Sequence, residues 1–303
     1  MPVSGHSRLR FVTIDLVGAE RFIHANARLL DRHRAAVLLH GAPATPVVNT
    51  LRAYRNDDGG FGHALEPDVR APTSETTAAL HGLEVLAEVG GLHEPMVTDV
   101  ADWVARIADS DGGVPFVLPS AAAYPHAPWM VPEAGGSHLT FGLVAHLTQA
   151  GAASSWLAEA TTWCWRKLAD PAALGAYWLK FALDFLDSQH DERRCLEAIE
   201  QLRPLLGADG SVDVPGGTEG ESLSALTLSP RPGARSRALF TDDQIARGLL
   251  QLEAEQQEDG GWDFDWLAWS PGQAAEWRGL VTLRALIVLQ AHGRLPGRPE
   301  PSR

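Results

Sequence analysis

Two short segments of the chain concentrate groups that can handle protons. GFGHALEPDVRAP carries His63, Glu66, Asp68 and Arg70, and GWDFDWLAWSPGQAAEW carries Asp263 and Asp265 among Trp262, Trp266, Trp269 and Trp277. Carboxylates two residues apart can share one proton, which raises one pKa and keeps an acid neutral at working pH. Burial among tryptophans pushes the same way. A neutral carboxyl in a dry aromatic pocket is what protonation of an alkene requires, and ring faces stabilise the cation that develops. Glu66 with Asp68, and Asp263 with Asp265, are therefore candidate general acids. The competing reading is structural: the acids cap helices or pair with Arg70 and Arg278. His63, directly after a turn glycine, reads as a base, an anchoring group or a local hydrogen-bond partner.

The elements that position these groups repeat along the chain. Asp58-Gly59-Gly60-Phe61 returns as Asp111-Gly112-Gly113-Val114, Asp209-Gly210-Ser211-Val212 and Asp259-Gly260-Gly261-Trp262. The acids stand 53, 98 and 50 residues apart (58 to 111, 111 to 209, 209 to 259). The long interval is two short ones, so a degenerate copy is expected near residue 160. Helices are expected near 18–40, 44–56, 74–89, 94–109, 137–150, 153–169, 172–188, 191–206, 241–257 and 273–292, with a weak one near 219–228. They alternate in character. TDDQIARGLLQLEAEQQ opens with a Thr241/Gln244 capping box and keeps Ile245, Leu249 and Leu252 on one face. AAEWRGLVTLRALIVLQAHG is apolar nearly all round and must be buried on most sides. Little period-2 alternation survives outside stretches such as SVDVP, so the fold class is all-α. Half-wet and buried helices in alternation suggest two concentric rings, an α/α toroid of about 10–12 helices with repeats of about 50 residues.

Bulk properties narrow the function classes. The chain has 303 residues, two cysteines (Cys164 and Cys195) and a net charge of −13. That charge argues against a nucleic-acid groove, and no run reaches the roughly 18 apolar residues of a membrane span. The start lacks the apolar stretch of a secretory signal, so the expectation is a cytoplasmic protein of unassigned oligomeric state. Residues 1–8 and 294–303 are expected to fray around a single domain over 9–293.

Gln256-Gln257-Glu258-Asp259-Gly260-Gly261-Trp262 resembles the QxxDGGW repeat of the terpenoid cyclase and protein prenyltransferase superfamily, and PTSETTAALHGL is similar to its inner-helix starts. The resemblance covers about residues 18–293 and implies the toroid, a central cavity and a small apolar, isoprenoid-like substrate. It implies acid-initiated cyclisation or isomerisation by Glu66, Asp68, Asp263 or Asp265, with His63 near them. Phe61, Trp129, Trp266 and Trp269 would form the cavity wall, and Arg70 and His138 would also meet substrate. The family's chemical signatures are missing. No D-x-D-D run exists, the nearest being Asp263-Phe264-Asp265-Trp266; the zinc site of the prenyltransferases and the magnesium-binding DDxxD are absent too. No metal or cofactor is therefore expected. Two other readings stay open: a glycan-active toroid with paired carboxylates and stacking tryptophans, and a non-catalytic binding or scaffold toroid.

Among the remaining residues, Trp156, Trp163, Trp165 and Trp178 read as packing, and Trp262 as the lid of its own turn. PFVLPSAAAYPHAPWMVPEAGGSH, with Tyr124, His126, Trp129 and His138, is long for a loop in a compact domain, and such loops are often functional. Arg231, Arg235 and Arg237 in SPRPGARSR form a basic loop, either solvated or facing a diphosphate.

Overall fold

The computed structural model describes residues 14–295. The ends expected to fray lie outside that range except for Arg294 and Leu295, and Arg294 ion-pairs with Glu253 at 2.6 Å. The described chain is mostly helical: α1 (Leu16–Asn26), α2 (Leu29–His40), α3 (Thr45–Leu51), α4 (Thr76–Glu88), α5 (Pro95–Ile107), α6 (Leu139–Gln149), α7 (Ser155–Leu168), α8 (Ala176–Ser188), α9 (Glu192–Leu202), α10 (Ala225–Leu228), α11 (Asp242–Ala254) and α12 (Pro271–Ala291). Two short strands, β1 (Val212–Asp213) and β2 (Ser222–Leu223), pair antiparallel with Val212 opposite Leu223.

The alternation of wet and dry helices is plain in the burial. Helix α4 buries every residue from Thr76 to Leu83, whereas α11 buries only Ile245, Leu249 and Glu253, one stripe at helical spacing. The α11 capping box forms, with the Gln244 N–H donating to Thr241 Oγ1 at 3.2 Å and the Thr241 N–H to Gln244 Oε1 at 2.9 Å. Helix α6 packs on α4, α7 and α8; α8 packs on α9 and α10; and α12 packs on α11, α1 and α2. The last helix therefore packs on the first two.

The glycine turns make the seams. In each, the aspartate Oδ1 accepts the N–H two residues on: Asp58 from Gly60, Asp111 from Gly113, Asp209 from Ser211 and Asp259 from Gly261, at 2.9–3.1 Å. The acid thus closes its own turn instead of capping a neighbouring helix, because the intervening glycine, at φ near +90°, brings that N–H within reach. The turn then rests on the next one-sided helix. Gly60 lies against Trp103 of α5, Gly113 against Trp163 of α7, Gly210 against Gln244 of α11, and Gly261 against Phe22 of α1. The last seam closes on the first helix.

Three expectations are corrected. The single helix over 18–40 is two, broken at Ala27 and Arg28, whose backbones are extended (ψ 157° and 156°). No glycine or proline marks the break. Its cause is tertiary: Ala27 sits against Gly279 of α12, and Arg28 turns to bind the Leu65 carbonyl and Asp31. The weak helix near 219–228 is only the four residues of α10, preceded by β2. The helix expected from residue 172 starts only at Ala176, after one 3-10 turn at Pro171–Ala173.

Candidate active site

The segment after the first glycine turn is tied down on both sides. Phe61 is fully buried, and its ring fills the space above Gly82 on α4, where a methyl group would come within 2.8 Å of it. It is packed in the core between its own turn and α4. Further on, Val69 pairs with His126 in an isolated bridge, the Arg70 N–H donates to the Pro125 carbonyl at 2.9 Å, and the Ala127 N–H donates to the Asp68 carbonyl at 2.8 Å. The long loop is thus a clamp, dry underneath through Val69, Ala71, Val117, Ala121, Ala127 and Met130.

That clamp aims Asp68 at the start of α12. The Asp68 side chain is buried, and its Oδ1 accepts three N–H groups: Trp269 Nε1 at 3.2 Å, Gln273 Nε2 at 2.9 Å and Trp277 Nε1 at 3.1 Å. The donors are spaced four residues apart, so one face of α12 and its lead-in supply all three. Oδ2 has no hydrogen-bond partner among the described residues. Burial raises the Asp68 carboxyl above its usual range despite the three donors, which pull the other way. Trp266 stands edge-on to Trp277 at 5.0 Å and extends the aromatic wall.

Glu66 lies beside this group with a side chain 12 % exposed, 3.5 Å from Nδ1 of the buried His81. Burial first, and the charge of Asp68 second, push its carboxyl up to about 8. Burial, with the charges of Arg28 and Arg34, keeps His81 neutral. The pair therefore holds a proton at neutral pH. Linkage gives the sign. The folded protein keeps a proton that the unfolded chain loses near pH 4.5, so this group's contribution to stability is complete below pH 4.5 and is lost as pH rises through about 8. Glu66→Gln removes that loss. Thermal melts should show a variant several degrees more stable than the parent at pH 8.5 and no more stable at pH 4; equal gains at both would contradict the shift.

The other sequence candidates are distributed differently. His138 is enclosed by Phe116, Tyr177, Trp178 and Phe181, with ring centroids 4.9–6.2 Å away. Burial, with Lys180, lowers it to about 3, so it is a neutral aromatic ring. Arg70 pairs with Glu276 at 2.9 Å, and Trp129 is 37 % exposed. Asp263 and Asp265 are exposed; Asp263 stands 3.9 Å from Arg278, and Asp265 accepts the Thr218 hydroxyl through its backbone carbonyl. Neither has the burial that a shared proton requires. His63 is exposed and its Nε2 is 3.0 Å from Asn56 Oδ1, a local contact.

Sequence reasoning missed Gln273 and the roles of His81, Tyr177 and Glu221. The Trp269, Gln273, Trp277 spacing could have revealed the first. Nothing local could have revealed Tyr177, whose hydroxyl donates to the buried Glu221 at 3.3 Å across 44 residues. Below the acid pair, α4, α6, α8 and α12 carry Glu84, His146, Lys180, Asp184 and Arg284, so the interior is not the uniformly apolar space the isoprenoid reading anticipates.

Solved structures share this fold. A protein from Actinoplanes is 17 % identical with a TM-score of 0.57, covering 91 % of this chain and 98 % of its own. Type II terpene cyclase MstE from Scytonema is 12 % identical with a TM-score of 0.55, covering 92 % and 98 %. A variant of MstE in complex with geranylgeranyl dihydroxybenzoate gives 12 % and 0.54, covering 92 % and 96 %. By sequence, no protein-family model and no curated protein matches the chain. The fold is terpene cyclase-like, and no helix among the described residues is long and apolar enough to cross a membrane.

Proposed function

We propose that the chain is an α/α toroid, a single domain over about residues 9–293, acting as a terpenoid cyclase-like enzyme. Its reaction is acid-initiated cyclisation or isomerisation of an isoprenoid-like substrate. The observation that carries this reading is the buried Asp68 carboxyl, with one oxygen held by Trp269, Gln273 and Trp277 and the other unpartnered.

The chemistry follows from that asymmetry. With Oδ1 occupied by three donors, a proton on Asp68 sits on Oδ2, the oxygen left for a substrate. The O–H bond breaks as the alkene π pair takes the proton, and a carbocation forms at the adjacent carbon. Attack by a second alkene closes a ring, and the final cation gives a proton to solvent water, from which Glu66 is reprotonated, leaving an isomer of the substrate. Glu66, protonated at neutral pH, is the nearby reserve that restores Asp68. Trp266, Trp269 and the neutral His138 present ring faces to the cation, and Arg70 with Glu276 forms the rim. The step uses no cofactor. His63, Phe61, Asp263 and Asp265 have no part in it.

The test is incubation in D2O with labelled farnesyl and geranylgeranyl diphosphates, squalene and a geranylgeranyl glycerol ether. A cyclised product carrying one deuterium from solvent is expected, and no product from any of the four would sink the reading. The charged interior favours a second reading, a glycan-active site in which tryptophans stack on sugar faces. Hydrolysis of a defined oligosaccharide panel, with no conversion of isoprenoids, would replace the first reading with that one.

A further inference from the structure

Five ionisable side chains on four helices lie together without hydrogen bonds: Glu84 on α4, His146 on α6, Lys180 and Asp184 on α8, and Arg284 on α12. The pairs among them are loose. Lys180 Nζ is 3.9 Å from Asp184 Oδ2, and Arg284 is 3.5 Å from Glu84. None of the five side chains makes a hydrogen bond among the described residues, and His146 Nδ1 is buried with no partner at all. Buried polar groups are almost always satisfied; here His146 Nδ1 is the buried exception, and the other four reach accessible space, where water or a polar ligand can meet them.

The groups act on one another across the four helices. Burial works to raise the Glu84 carboxyl, but the charges of Lys180 and Arg284 outweigh it and hold it below the usual range. Burial lowers His146 against the pull of Glu84 and leaves it neutral. Burial raises Asp184 to about 6 in spite of Lys180. Glu84, His146 and Asp184 are desolvated, yet the side chains of Glu84, Lys180, Asp184 and Arg284 stay 22–41 % accessible, which fits the lining of an internal wet chamber. The cluster lies near the acid pair, since the charges of Arg284 and Glu84 both act on Glu66. Its charges cancel at pH 7.5: two carboxylates, two cations and a neutral imidazole.

We infer that the chamber binds a neutral, hydroxyl-bearing head group, so that the substrate is amphipathic, with its alkene end at Asp68 and its polar end among Glu84, His146, Lys180, Asp184 and Arg284. The assignment of the alkene end rests on the function proposed above. Hydroxyls match the chamber because they donate to the carboxylates and accept from the cations at once. An anionic head would face Glu84 and Asp184, and a cationic one Lys180 and Arg284, each unbalancing a desolvated set.

Three probes with one geranylgeranyl tail test this at pH 7.5: a glycerol ether, a diphosphate and a trimethylammonium, titrated against tryptophan fluorescence. The glycerol ether should bind about tenfold more tightly than either charged probe. Glu84→Gln, which gives the chamber one net positive charge, should shift the ranking toward the diphosphate by about tenfold. Its thermal melt confirms the fold, and Lys180→Met should shift the ranking the other way. The inference is overturned if the diphosphate matches the glycerol ether on the parent protein, if no probe binds, or if the substitutions leave the ranking unchanged. The acid reading is judged separately, by deuterium incorporation, and either can fail while the other stands.

Discussion

Replacing Asp68 by Asn should lower turnover by about a thousandfold, equivalent to about 4 kcal/mol of barrier, while leaving the fold in place. The substitution is nearly isosteric. An amide oxygen can still accept from Trp269, Gln273 and Trp277, so the network that seats the side chain survives. What disappears is the ionisable oxygen, and with it the proton available to an alkene. Glu66→Gln should cost far less, because Glu66 restores the donor without touching the reacting carbon. Rates of product formation and probe binding, measured on both variants, distinguish the roles. If Glu66→Gln abolished turnover and Asp68→Asn only slowed it, the donor would be Glu66. If neither changed the rate, the acid mechanism would be lost.

Gly260→Ala should lower stability by about 3 kcal/mol and the melting temperature by roughly 5 °C. Gly260 has φ +91°, and a methyl group there would lie 2.3 Å from the Gly18 carbonyl carbon and 2.4 Å from its oxygen. A side chain at positive φ costs on the order of 1–2 kcal/mol, and pushing α1 off the turn adds a comparable amount. The contact joins the last glycine turn to the first helix, so the loss measures the closing seam. Gly151 is the control: it also has positive φ, at 63°, but nothing lies within 4 Å of an added methyl group. Gly151→Ala should cost only the backbone term, about 1 kcal/mol. Equal melting shifts for the two would show that the seam carries no load.

The mostly helical character and the glycine-turn seams were legible because each depends on near neighbours in the chain. Apolar spacing in α11 and near-continuous hydrophobicity in α12 register the environments of those helices whatever surrounds them. The aspartate-glycine turns repeat because a tight turn is built from a few consecutive residues. Carboxylates two apart were visible as a pair for the same reason.

What the sequence could not do was choose between the two pairs. Asp263-Phe264-Asp265 and Glu66-Pro67-Asp68 look alike in one dimension, yet one is exposed and the other enclosed. The difference comes from groups about 60 residues away in the long loop and about 200 away on α12, which close over Asp68 only when the chain has folded. The same holds for the break between α1 and α2 and for the five ionisable groups on α4, α6, α8 and α12. Protonation and binding depend on desolvation and on opposing charge, and those are properties of how distant segments meet.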